Sequence, residues 1–183
     1  MSDTENLALV ADIGGTNARF ALADIRSGMP RLFQHETLPT SDYASLPHAA
    51  EYYLTKRGVK PTLASFAVAC PVAGDEIRLT NRAWAFSQRE LQASLGLSQQ
   101  LVINDFGAAA RAALVIGDED RVILHGSPAS QRMGPITVIG PGTGLGVALL
   151  VGDDQQGWHV VETEGGHVSF APQVEEEQHI AEW

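Results

Sequence analysis

Apolar positions along this chain fall into short strand-like runs broken by turn residues, and these give way repeatedly to segments with helical spacing. Residues 7 to 38 read as three strands, LALVADI, ARFALAD and RLFQHETL, joined by tight turns into an antiparallel meander. From Ser41 and Asp42 onward the apolar positions take helical spacing, Pro47 fits the first turns and Gly58 is a stop signal, so a helix is predicted over 42–57. LASFAVACPV at 63 to 72 is an uninterrupted apolar run, which predicts a strand covered on both faces. A second helix is predicted after Ser87, with Glu90 three residues on in a capping box and Gly96 at its end. LVINDF then reads as a short buried strand leading into an alanine-rich helix, and RVILHG, ITVIG and LGVALLV as further strands, after which WHVVETEGGHVSFAP follows. The last residues, VEEEQHIAEW, read as the first turns of an amphipathic helix with acids near its start, either cut there or a terminal helix that frays into solvent.

Two glycine-rich segments, DIGGTNARFAL at 12 to 22 and GPGTGLGVALL at 140 to 150, sit where one predicted strand turns into the next. In such hairpin turns glycine admits positive φ and close approach of a ligand, and consecutive N–H groups can form a nest for phosphate oxygens. Thr16, Asn17 and Thr143 add side-chain donors. The alternative is a pair of glycine-rich hairpins with no ligand. A Walker A loop is excluded because no Gly-Lys-Ser or Gly-Lys-Thr occurs. The alternating glycines 140, 142, 144 and 146 fail the dinucleotide spacing and lead into a strand rather than a helix. A third signal is the strand end at Asn104 and Asp105, since ligands of open α/β sheets bind beyond the carboxyl ends of strands.

The 183 residues suffice for one good core, or for one domain and part of another. A net charge of −10 with scattered lysines and arginines disfavours nucleic acid as a partner, yet leaves small anionic ligands held with Mg²⁺ open. No stretch approaches a membrane span, and the acidic start MSDTEN is unlike a signal peptide, so a cytoplasmic protein with no membrane partner is expected. The single Cys70 allows no internal disulfide and reads as a core-filling thiol. Trp84 is read as core with sugar stacking as the alternative, and Arg19 as pairing with a carboxylate.

The motifs DIGGTNARFAL, LVINDF, GPGTGLGVALL and ETEGGHVSFAP, in that order, resemble those of the bacterial ATP-dependent glucokinases of the hexokinase, Hsp70 and actin superfamily. The resemblance implies an α/β, ribonuclease-H-like (actin-like ATPase) fold. It has a small α/β domain, placed at residues 1–115, and the start of a larger domain at 116–183. Family members are longer, so this chain is expected to be the amino-terminal portion of one, without the adenosine-contacting segment or the carboxyl-terminal helix that completes the small domain.

Carried over residue by residue, the resemblance makes Asp105 the catalytic base and Asn104, Glu164 and His167 the contacts to glucose hydroxyls. Asp12, Gly14, Gly15, Thr16 and Asn17 resemble the first phosphate loop, and Gly140, Gly142, Thr143 and Gly144 the second. The implied cofactors are ATP and Mg²⁺, with Asp12 as the metal-holding carboxylate, and the implied reaction is transfer of the ATP γ-phosphate to the 6-hydroxyl of glucose. A homodimeric state is left open. Two other readings stay open as well: a non-catalytic sugar-binding or regulatory protein, and a kinase for another hexose. The cysteine-rich zinc motif of the related repressor and sugar-kinase group is missing.

Overall fold

The largely buried apolar residues of LALVADI and NARFALAD build the centre of the first sheet. The computed structural model of the protein describes residues 6–79, 84–126, 134–141 and 144–182. It divides after Ala109 into two units.

In the first unit β1 (Leu7–Ile13), β2 (Asn17–Asp24) and β3 (Arg31–Pro39) form the meander expected from their turn signals. After α1 (Leu46–Arg57) the chain enters β4 (Leu63–Val68). A two-stranded hairpin of β5 (Glu76–Arg78) and β6 (Ala85–Ser87) follows, then α2 (Gln88–Ser94), β7 (Gln99–Asn104) and α3 (Asp105–Ala113), which runs past the division. The sheet order is β3-β2-β1-β4-β7, with β4 parallel to both β1 and β7. Leu9, Ile13, Phe20, Leu22, Phe66 and Val68 point from one face of this sheet into a core closed by Leu46, Tyr53 and Leu54 of α1 and Leu91 of α2. Tyr53 stacks on Phe20 with ring centroids 5.3 Å apart.

Local signals explain the helix limits. Ser45 caps α1 by accepting from the His48 N–H, Pro47 lies in the first turn, and Gly58 takes the left-handed conformation at φ 65° that ends it. Ser87 caps α2 by accepting from the Glu90 N–H, and its own hydroxyl donates to Asp75 at 2.7 Å. A β-bulge interrupts the β2–β3 ladder at Gln34, whose φ of 55° is left-handed. The Gln34 carbonyl accepts from the Tyr53 hydroxyl at 2.8 Å, and Glu36 beyond the bulge pairs with Lys56 at 2.9 Å and Arg57 at 2.6 Å. The bulge thereby fastens β3 to α1.

Three expectations are corrected. The first helix starts at Leu46 and not at 42, because Thr40–Asp42 forms a separate 3₁₀ turn and the cap is Ser45. β4 is not covered on both faces: Ala64, Phe66 and Val68 are buried while Leu63, Ser65 and Ala67 on the other side are only half-buried. That second face forms an open hollow of about 290 Å³, lined among others by Asp12, Arg19, His35 and Ser65. RVILHG is not a strand. Among the described residues, 121–124 have no ladder partner, Val122 is 83% exposed and Leu124 is 93% exposed, and an apolar run without a neighbouring strand cannot satisfy its backbone as sheet.

The second unit holds an antiparallel sheet of β8 (Ile136–Pro141), β9 (Leu145–Asp153) and β10 (Gly157–Thr163), in the order β10-β9-β8. A 3₁₀ turn at Gly165–His167 follows β10, and α4 (Glu175–Ala181) carries three glutamates in its first turn. No helix among the described residues is long and apolar enough to cross a membrane.

Candidate functional site

Parallel pairing of β1, β4 and β7 brings their carboxyl ends to one edge, with Ile13 in register with Val68 and Val68 with Asn104. Asp12 is the penultimate residue of β1 and Asp105 the first of α3, so this edge carries two carboxylates. The Asp12 side chain is about half exposed and pairs at 2.7 Å with Arg19, its register partner across the β1–β2 hairpin. The carboxylate partner expected for Arg19 is therefore Asp12.

Asp105 has a different environment. Partial burial pushes its carboxyl above the usual aspartate range, and the nearby Asp12 charge adds to the rise. The Phe106 N–H at 2.9 Å and the Asn104 side chain oppose it by hydrogen-bonding the charged form. Asn104 also accepts through Oδ1 from the N–H groups of Phe106 at 2.9 Å and Gly107 at 3.2 Å, and donates through Nδ2 to the Cys70 carbonyl at 3.3 Å. It is the N-cap of α3. The Cys70 thiol is buried, and burial together with the Asp105 charge raises its pKa.

The first glycine segment is a hairpin turn, as its flanking strands predict. Gly14 does not take positive φ; its N–H closes the turn on the Asn17 carbonyl at 2.9 Å and is not presented to a ligand. The turn is pinned from outside by Thr40. This buried residue donates its N–H to the Thr16 carbonyl at 2.9 Å and directs its hydroxyl at the Gly15 and Thr16 carbonyls, 3.0 and 3.1 Å away. Sequence reasoning missed Thr40, because a contact across 25 positions leaves no local pattern.

In the second unit Gly140 pairs with Gly146 and Pro141 with Leu145, so the second glycine segment is also a hairpin. Gly144 lies just before β9, and Gly142 and Thr143 lie outside the described residues. The 3₁₀ turn after β10 brings Glu164 and His167 together, Oε2 to Nδ1 at 3.0 Å, with both side chains exposed. Gly166 makes this turn possible: a Cβ there would collide with the Leu145 carbonyl of β9. The Thr163 hydroxyl ties the same corner to Val147 at 3.1 Å and accepts the Gly165 N–H at 3.2 Å.

Thus Asp12, Asn104 and Asp105 share one edge of the first unit, and Glu164 and His167 share one turn of the second. Trp84 belongs to the core, with its indole N–H donating to the Tyr43 carbonyl at 3.0 Å. No group of three or more His, Cys, Asp or Glu side chains disposed to hold a metal occurs among the described residues. One half-exposed carboxylate at Asp12 does fit Mg²⁺, which keeps most of its waters and takes one or two carboxylates beside substrate phosphates.

Comparison with known proteins places these features in context. A family model described as Glucokinase matches residues 9–183. A glucokinase of Tolumonas auensis is 44% identical over 174 residues, covering 95% of this chain and 53% of the relative, and one of Yersinia pestis is 44% identical over 173 residues, covering 94% and 52%. The chain therefore spans about half the length of these relatives. Among solved structures, a glucokinase from an Antarctic psychrotroph superimposes with a TM-score of 0.83 at 38% identity, covering 94% of this chain and 54% of that one. An ROK family glucokinase of Streptomyces griseus, in complex with glucose and AMPPNP, superimposes at 0.61 and 21% identity, covering 91% and 51%, and supports the fold alone.

Proposed function

We propose that this chain, which belongs to the glucokinase family, supplies the catalytic base, both phosphate loops and sugar contacts for transfer of the ATP γ-phosphate to the 6-hydroxyl of D-glucose. The observation that carries the reading is the carboxylate of Asp105, raised by burial and set beside Asp12 at the carboxyl edge of a parallel sheet. A base must reach the attacking hydroxyl and hold a pKa closer to the working pH than a solvated aspartate does. Asp105 meets the second demand through its surroundings.

In the proposed reaction Asp105 orients the sugar 6-hydroxyl and accepts its proton as the oxygen bonds to the γ-phosphorus and the bond to the bridging oxygen of ADP breaks. Asp12 holds Mg²⁺ directly or through water, and the ion neutralises charge on the phosphate oxygens. The turn at 14–17, kept in shape by Thr40, lies beside Asp12 and offers the phosphates the donors of Thr16 and Asn17. Gly140, Gly142, Thr143 and Gly144 are assigned to the second phosphate loop. Glu164 and His167 present an acceptor and a ring nitrogen to vicinal hydroxyls, and Asn104 is assigned to the same sugar. A cytoplasmic site of action belongs to the same proposal.

The test is Mg·ATP-dependent formation of glucose 6-phosphate. Asp105→Ala is expected to abolish it while glucose binding persists, because the base acts on chemistry more than on binding. Turnover retained in that variant would remove Asp105 from the role. Glu164→Ala is expected to weaken glucose binding, and an unchanged affinity would move the sugar site elsewhere.

A further inference from the structure

Asn104 is engaged on three sides. Its Oδ1 accepts two N–H groups of α3, and its Nδ2 faces the Cys70 carbonyl at the end of β4. The same side chain hydrogen-bonds the Asp105 carboxylate. An amide oxygen has two lone pairs, and here both are taken by backbone. The two N–H groups of Nδ2 are directed at the Cys70 carbonyl and the Asp105 carboxylate. Most of this side chain's bonding is directed inward, at the junction where β4, β7 and α3 meet.

We propose that Asn104 is a positioning residue for Asp105: it fixes the start of α3 to the segment after β4 and holds the carboxylate in the orientation that takes the proton. This rests on Asp105 being the base, and it extends that reading from the carboxylate to the clamp that aims it. The Phe106 N–H is shared between the Asn104 and Asp105 side chains at 2.9 Å each, so neither can rotate without disturbing the other. Around Asp105 the other titratable groups are Asp12 on β1 and the Cys70 thiol after β4, both of which act against its charged form or are acted on by it.

Asn104→Ser and Asn104→Asp test the clamp without removing the cap, because each keeps an oxygen for the helix N–H groups and loses the amide donor. In glucose phosphorylation assays both variants are expected to lower kcat by roughly 10- to 100-fold, a range typical of misplaced catalytic groups, with a smaller change in the KM for glucose. The acidic limb of the kcat–pH profile is expected to move upward. A rise in KM alone, with kcat and the pH profile unchanged, would assign Asn104 to the sugar only and overturn the proposal.

A second measurement needs no turnover: the carbon-13 titration of the Asp105 carboxyl in the unliganded protein, assigned by its loss in Asp105→Asn. A midpoint raised in both Asn104 variants supports the clamp, and an unmoved midpoint overturns it. If the parent chain, about half the length of its relatives, phosphorylates nothing, this titration still decides the role of Asn104.

Discussion

The first unit folds its apolar side chains into a core, whereas the second spreads comparable strands with little to bury. Leu9, Ile13, Phe20, Phe66 and Tyr53 are all fully or almost fully buried in the first. Among the described residues of the second, only Ala110, Ala148 and Leu150 are buried hydrophobics, and Val122, Leu124, Val168 and Ile180 are each more than two-thirds exposed. Both units carry a glycine hairpin and candidate site residues, so the chemistry is distributed evenly while the burial is not. Hydrophobic stabilisation follows the area removed from water, and the first unit is therefore expected to hold most of the chain's stability.

The sharpest way to break this contrast is a cavity. Phe66→Ala is expected to cost roughly 3–5 kcal/mol in chemical denaturation, and a loss below 1 kcal/mol would show that the core is not the source of stability. Gly166→Ala, which pushes a methyl group into the Leu145 carbonyl, is expected to cost about 1–3 kcal/mol, detected as faster hydrogen exchange in β9 and β10 with the first unit unchanged. Thr40→Val leaves the Gly15 and Thr16 carbonyls without their hydroxyl donor and is expected to cost about 1–2 kcal/mol, while exchange at the 14–17 turn rises.

A pH comparison sharpens the picture within the first unit. Because the folded pKa of Asp105 lies above its ordinary value of 3.8, folding favours the protonated form. Its contribution is fully present below pH 3.8 and is lost as the pH rises through the folded pKa. Asp105→Asn should therefore gain stability relative to the parent across that interval, and parallel melting curves in the two proteins would refute the burial argument. The smallest effect is expected at Leu124→Ser in the second unit, within about 0.5 kcal/mol, since a side chain 93% exposed buries almost nothing.

Both hairpins and several element limits were legible in the sequence wherever the signal was local: the apolar runs of β1 and β2, Gly58 after α1, Ser87 before α2; the start of α1 at Ser45, four residues beyond the Ser41 and Asp42 signals, was not. The position of Asp105 was legible too, because the end of a buried strand before a helix is itself a local pattern. What escaped depends on distant partners. Nothing in LASFAVACPV says that one sheet face stays open, and nothing in RVILHG says that no strand lies beside it. Thr40 against the 14–17 turn and the Cys70 carbonyl against Asn104 are contacts over 25 and 34 positions, and the second adds an inward anchor to Asn104 that no local pattern announces.

The strand order β3-β2-β1-β4-β7 also sets a timetable. The meander β1-β2-β3 closes through short turns, but β1 meets β4 only across a connection that contains β2, β3 and α1, and β7 can dock only on a β4 already in place. Loop closure makes such distant pairings slow compared with hairpins. Asp12 is thus expected to be laid down in the earliest structure and Asp105 in the latest of the first unit, so the two carboxylates come together only at the final step of its assembly. A folding intermediate lacking β7 would keep the 14–17 turn with Asp12 beside it and leave Asp105 unplaced.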